Sequence, residues 1–250
     1  MAMNQPVNHI RVMDVNQPLI EDSTGIADVK VIFEDLTTGN SETLNDTIVE
    51  FHDFLTQNFR VTTPIQPNHH YRVTVDDGKN EPLITTASAP AITELRKDPD
   101  IPPRCFEELQ LHFHNVDYPE TIHLKAGFPY QNRINWTHIS GNCVNIEHVE
   151  KQNIWRVTGT PEDMLKYYFP EPGVDDPCDA PPEVSCQDLD TDKIYLKYYH
   201  LSADYETYYK PTEPLDPIQS PTIKNGIGFF GIHNKKQEYL PIDTTYSGGI

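Results

Sequence analysis

His112-Phe113-His114 is the segment of this chain best suited by type and spacing to hold a metal ion. Alternate residues on a strand point the same way, so both imidazoles would share one face. Neutral imidazoles at that spacing can ligate Zn²⁺. His123, His138 and His148 are near in sequence and would complete such a site. His69-His70 is weaker, because neighbours on a strand face opposite ways. A second constellation is Asp188-Leu189-Asp190-Thr191-Asp192, with Asp175, Asp176, Asp179 and Glu183 close by. Alternating carboxylates on a loop suit Ca²⁺, although the glycine and distal glutamate of an EF-hand are missing. The plain alternatives are a polar strand face and a solvated acidic loop.

Nucleophilic chemistry has less support. No Gly-x-Ser-x-Gly occurs, and Ser140-Gly141-Asn142-Cys143 reads as a turn. Gly226, Gly228 and Gly231 fit a dinucleotide pattern by count but have no following helix. Glycines that let a strand bend are the simpler reading. Carboxylates paired for glycoside hydrolysis are defined by their separation in space, which spacing along the chain does not show. No catalytic residue is therefore assigned. The expected class is a binding protein rather than an enzyme, with no cofactor beyond the Ca²⁺ or Zn²⁺ just considered. The candidate contact surface is aromatic: Tyr195, Tyr199, Tyr205, Tyr208 and Tyr209 crowd one strand and one short helix. Tyrosine combines apolar area with a hydroxyl handle and is enriched at interfaces.

The elements that must position these residues are mostly strands. Val29, Val31 and Phe33 alternate with Lys30 and Glu34, and Tyr71, Val73 and Val75 alternate with Arg72 and Thr74. Ile194, Leu196 and Tyr198 share one face of a strand over Lys193–His200, with Tyr195, Lys197 and Tyr199 on the other. Thr160-Pro161-Glu162-Asp163 starts a short helix near 161–168, with Thr as cap and Asp reaching back. Ser202 caps another near 203–210. A strand over Asn225–Ile232 closes the fold. The 22 prolines against 12 glycines fit loops and strands better than long helices. The expected fold is mainly β: an immunoglobulin- or fibronectin-like β-sandwich over 1–90, then a second β region with two short helices over 91–250.

Of the 250 residues 38 are acidic and 19 basic, giving a net charge of -19. Phosphate backbones and anionic membrane surfaces would be repelled, which removes nucleic acid as a partner. The four cysteines form no Cys-x-x-Cys pair. Cys178 and Cys186 flank a proline-rich loop, and a disulfide across it would restrict the unfolded chain. Cys105 and Cys143 would then pair by default, and the even count implies an oxidising compartment. No apolar run is long enough to span a bilayer. Met1–Pro6 has no basic region or apolar core and does not read as a signal peptide. If the protein is exported, its leader has been removed.

Several segments together resemble one family. The closing pattern runs from Ile194-Tyr195-Leu196-Lys197-Tyr198-Tyr199-His200-Leu201-Ser202 to Ile223-Lys224-Asn225-Gly226-Ile227-Gly228-Phe229-Phe230-Gly231. The early strand Ile26–Asp35 and the hairpin His70–Lys79 belong to the same likeness. They resemble the Bacteroidetes lipoproteins grouped as domain of unknown function forty-two forty-nine. The resemblance implies a lipoprotein of the outer membrane or cell surface, working with a TonB-dependent outer-membrane receptor in nutrient uptake. It carries no catalytic residues with it. Membrane attachment would be through a lipid anchor, for which no cysteine stands near Met1, and the stretch Glu107–Val157 matches least well. The expected function is thus a non-catalytic envelope binding or accessory protein. The alternatives are a secreted hydrolase of polysaccharide or peptide and a metal-binding envelope protein.

Overall fold

Lys30–Asp35 shows how this chain builds its strands. Val31, Phe33 and Asp35 are buried, while Ile32 and Glu34 between them are only partly covered. The same period of two recurs through the chain. The computed structural model describes residues 1–3, 5–12, 28–51, 54–98, 101–116, 122–139, 141, 143–166, 168–170, 172–176, 178–202, 223–225 and 230–245.

The protein is mainly β, with antiparallel sheets throughout and one α-helix among the described residues. It divides into two units. The first contains Met1–Ala91 and Leu201–Asn234, the second Ile92–His200 and Lys235–Ile250. The chain therefore leaves the second unit at Leu201 and re-enters it at Lys235.

The first unit is built on β1 (Asn8–Arg11), β2 (Lys30–Asp35), β3 (Asn40–Phe51), β4 (Phe54–Val61), β5 (His70–Asp76), β6 (Leu83–Ser88) and β14 (Ile223–Lys224). Their order is β1-β4-β3-β2-β5-β6-β14. β3 is long enough to serve two neighbours: Asn40–Leu44 pair with β2 and Asn45–Phe51 with β4. Val31, Phe33, Phe59, Tyr71, Val73 and Ile232 form the core. Phe33 and Tyr71 stack with centroids 5.2 Å apart, and the Tyr71 hydroxyl accepts the Gln66 N–H at 2.7 Å. Beside them the buried Asp35 carboxylate accepts the Thr37 N–H at 2.9 Å and contacts His69 Nδ1 at 2.8 Å.

The second unit packs two four-stranded sheets. One has the order β10 (Arg133–His138), β9 (Ile122–Tyr130), β13 (Lys193–Leu201), β15 (His233–Pro241). The other has the order β11 (Asn145–Val149), β12 (Ile154–Gly159), β8 (Leu109–His114), β7 (Glu94–Asp98). Leu124, Ala126, Phe128, Leu196 and Tyr198 join Leu111, Phe113, Trp155 and Val157 in one core. Helix α1 (Pro161–Lys166) adds Met164 and Leu165. Its cap follows the sequence pattern: Thr160 Oγ1 accepts the Asp163 N–H at 3.0 Å, and Asp163 accepts the Thr160 N–H at 2.9 Å. The helix expected near 203–210 lies outside the described residues. Of the closing strand expected over Asn225–Ile232, residues 226–229 lie outside the described residues; Asn225 and Phe230–Ile232 are not strand, and β15 begins at His233. No helix among the described residues is long and apolar enough to cross a membrane.

The cysteine pairing differs from the expected one. Cys143 is bonded to Cys178, 35 residues away, while Cys105 and Cys186 are free and buried. The cause is local. Cys186 opens a 3₁₀ turn that carries it into the core with Val184 and Leu189. Cys178 stays half-exposed on the loop, where it bonds Cys143.

Two predictions follow from these contacts. Replacing both Cys143 and Cys178 by serine should destabilise the fold by about 3–4 kcal/mol, from the entropy of a loop of this length; urea unfolding measures it, and an unchanged midpoint would refute it. For Asp35, burial pushes the carboxyl up, but hydrogen bonds from His69, Thr38 and Thr37 outweigh it and hold it below the usual carboxylate value. A depressed native pKa stabilises above the unfolded value, near pH 4, and the effect fades as pH falls through the native one. Asp35→Asn should therefore lower the thermal midpoint at pH 7, with the gap to wild type shrinking below about pH 4.

Candidate functional site

Within the β10-β9-β13-β15 sheet, alternation sends Leu124, Ala126, Leu196 and Tyr198 inward. Lys125, Gly127, Tyr195, Lys197 and Tyr199 must then lie on the opposite face. The hairpin turn between β9 and β10 sets the register. Gln131 and Asn132 both have left-handed backbones, φ 55° and 58°, as a two-residue hairpin loop requires. Asp190 accepts the Asn132 N–H at 2.7 Å. Rows then form across the sheet. Trp136, Gly127 and Tyr195 are in line. His138, Lys125 and Lys197 make the next row, and His123 pairs with Tyr199 beyond it.

Gly127 shapes the centre of this face. A Cβ there would stand 2.9 Å from the Trp136 ring and 2.8 Å from Ile134 Cγ2. The indole thus rests on bare backbone. Lys197 Nζ lies over the Trp136 ring, 3.9 Å from its centroid. Lys193 lies over Tyr239 at 5.1 Å, and Lys235 over Tyr199 at 5.7 Å. The face therefore carries three lysine–aromatic pairs. Beside Tyr239 it runs into an open depression lined by Lys97, Ile101 and Gln237–Pro241.

The sheet is poor in carboxylates. Strands β9, β10 and β13 contain no Asp or Glu, and β15 contains only Glu238. Glu238 is already engaged, accepting the Tyr198 hydroxyl at 3.1 Å and lying 3.8 Å from Lys97 Nζ. Burial, then the neighbouring Lys235 and Lys125, push the Lys197 amine below its ordinary value. Burial, then His138 and Lys125, do the same to His123; burial and Lys125 do so to His138. Such mutual repulsion marks a positive surface on a strongly acidic protein. An anion placed there would relieve it.

Tyr195 and Tyr199 are thus on this face, as the candidate contact surface requires. Tyr205, Tyr208 and Tyr209 lie outside the described residues. The expected metal sites are not assembled. His112 and His114 share a side of β8, with ring centroids 6.4 Å apart. However, Arg156 and Arg96 stand opposite His112 on both neighbouring strands. Burial, then the charges of Arg156 and His114, disfavour a positive charge at His112. Its Nε2 is 3.2 Å from Gln110 Oε1, while His148 Nε2 faces the Val116 carbonyl oxygen at 3.2 Å. His123 and His138 sit on the other sheet.

The acidic loop is used structurally. Asp188 accepts the Ser185 N–H and hydroxyl at 2.9 and 2.7 Å. Asp190 holds the hairpin, and the Asp192 carbonyl accepts the Ile242 N–H at 2.9 Å. Among the described residues no three His, Cys, Asp or Glu side chains come together as a metal site. The Asp188 and Asp190 carboxylates thus accept hydrogen bonds from the loop and the hairpin, and Arg96 and Arg156 flank His112.

Trp136, Lys125, Lys193, Lys197, Lys235 and Tyr239 were not singled out as a site by their sequence pattern. The lack of carboxylate in β9, β10 and β13 gives no signal by itself, because β1, β4, β6, β8, β12 and β14 contain none either. Gly127→Val should dislodge the indole it supports. The expected readout is tryptophan emission moved to longer wavelength with unchanged far-UV circular dichroism; unmoved emission would mean the ring does not rest there. No protein-family model matches the chain, and no curated protein matches it.

Proposed function

We propose that this chain is a non-catalytic binding protein of the cell envelope, and that the outward face of the β10-β9-β13-β15 sheet is its contact surface. The observation that carries the reading is the set of lysine–aromatic pairs on strands almost free of carboxylate. Clustered charge and large rings on an open sheet present a surface to a ligand rather than enclosing a reacting group. The Cys143–Cys178 bond agrees with an oxidising compartment. The likeness to the Bacteroidetes lipoproteins supports an anchored protein beside a TonB-dependent receptor, taking part in nutrient uptake. On this reading the first unit is an immunoglobulin- or fibronectin-like sandwich.

Purification of tagged protein from native membranes tests the envelope role. A TonB-dependent receptor, identified by mass spectrometry, is expected to accompany it; protein emerging alone would overturn that part. Lysine acetylation footprinting tests the face without knowledge of the ligand. Lys125, Lys197 and Lys235 should be protected in material isolated from cells, relative to the free recombinant protein. Equal labelling would remove this face from the function.

A further inference from the structure

We propose that this face takes a short acidic saccharide, a few sugar rings bearing carboxylates of the uronic acid type. The inference rests on the reading of the face as a binding surface and adds the class of ligand.

Three observations select this chemistry. The first is the kind of cation. Protein–protein interfaces are enriched in arginine and depleted of lysine, whereas the cations paired with rings here are Lys193, Lys197 and Lys235. Lysine offers a compact charge with rotatable donors, suited to carboxylates and hydroxyls at varied angles. The second is the alternation of charge and ring. Along β13, Tyr195 and Tyr199 flank Lys197 on the same side, each about 7 Å away by the rise of a strand. That step is comparable to one sugar unit. A carboxylate can draw the Lys197 amine off the indole, and the uncovered ring can receive the C–H face of the sugar. The third is net charge. At -19 the protein repels a long polyanion, but screening confines that repulsion to about 8 Å in physiological salt. A compact anion touching only the positive face meets attraction.

Calorimetric titration with a trigalacturonate decides the matter, with a neutral galactose trimer and a glutamate-rich peptide as comparisons. The acidic trimer should bind at least tenfold more tightly than the neutral one. Lys197→Ala and Trp136→Ala should each weaken it about tenfold. Lys125→Ala, a substitution on the open face, gives the same test should Trp136→Ala fail to fold. Equal binding of the neutral trimer, or tighter binding of the peptide, would overturn the proposal. So would a lack of binding by all three probes. If footprinting still protects the lysines, the face survives and only the ligand class is lost; if it does not, both fall.

Discussion

Phe113 meets Trp155 and Tyr198 edge-on, with ring centroids 5.2 and 5.1 Å away. The Tyr198 contact joins β8 of one sheet to β13 of the other, and Trp155 is the cross-strand neighbour of Phe113 within its own sheet. Everything on the outer surface of the β13 sheet depends on these contacts. Once Tyr198, Leu196 and Leu124 are committed to this core, pleating leaves Lys197, Tyr195, Tyr199 and Lys125 no other place than the far side. The apolar interior thus positions the charged exterior. Edge-to-face geometry adds some preference beyond area alone, which favours one packing of the two sheets over slipped alternatives.

Charge is segregated rather than averaged. Carboxylates that do appear near the sheet are tied into the frame: Asp190 to the hairpin, Asp188 to its turn, Glu238 to Tyr198. Lysines on the outer face have rings for neighbours instead. An exposed cation over an aromatic ring gains only about 0.5–1 kcal/mol, little enough that a better counter-ion can displace it. The ring contacts hold the Lys193 and Lys197 amines in place over Tyr239 and Trp136.

How much of this was legible in the sequence depends on the range of the interaction. The two faces of Lys193–His200 could be read directly, because pleating is local. So could the start of α1, where Thr160 and Asp163 are three residues apart. The face itself was not, because Trp136, Gly127 and Lys197 come from separate strands and become neighbours only through pairing. The surroundings of His112 were hidden for a related reason: Arg96 and Arg156 come to stand opposite it only through strand pairing. Cysteine connectivity was likewise open, since four cysteines allow three pairings. The bond closes the longer loop between Cys143 and Cys178, while Cys186 is buried at the start of a 3₁₀ turn.

The left-handed pair Gln131-Asn132 has a consequence that reaches well beyond the turn. Side chains change sides with every residue, so a single insertion or deletion at this tip would slide β10 by one step against β9. Asn135, now buried with its amide bonded to the Phe128 and Tyr130 carbonyls, would be turned toward water, and the indole would be driven into the interior. Length at this tip is therefore under tighter constraint than its exposed position suggests. Relatives that keep the surface should vary their loops elsewhere and leave these two positions uninterrupted.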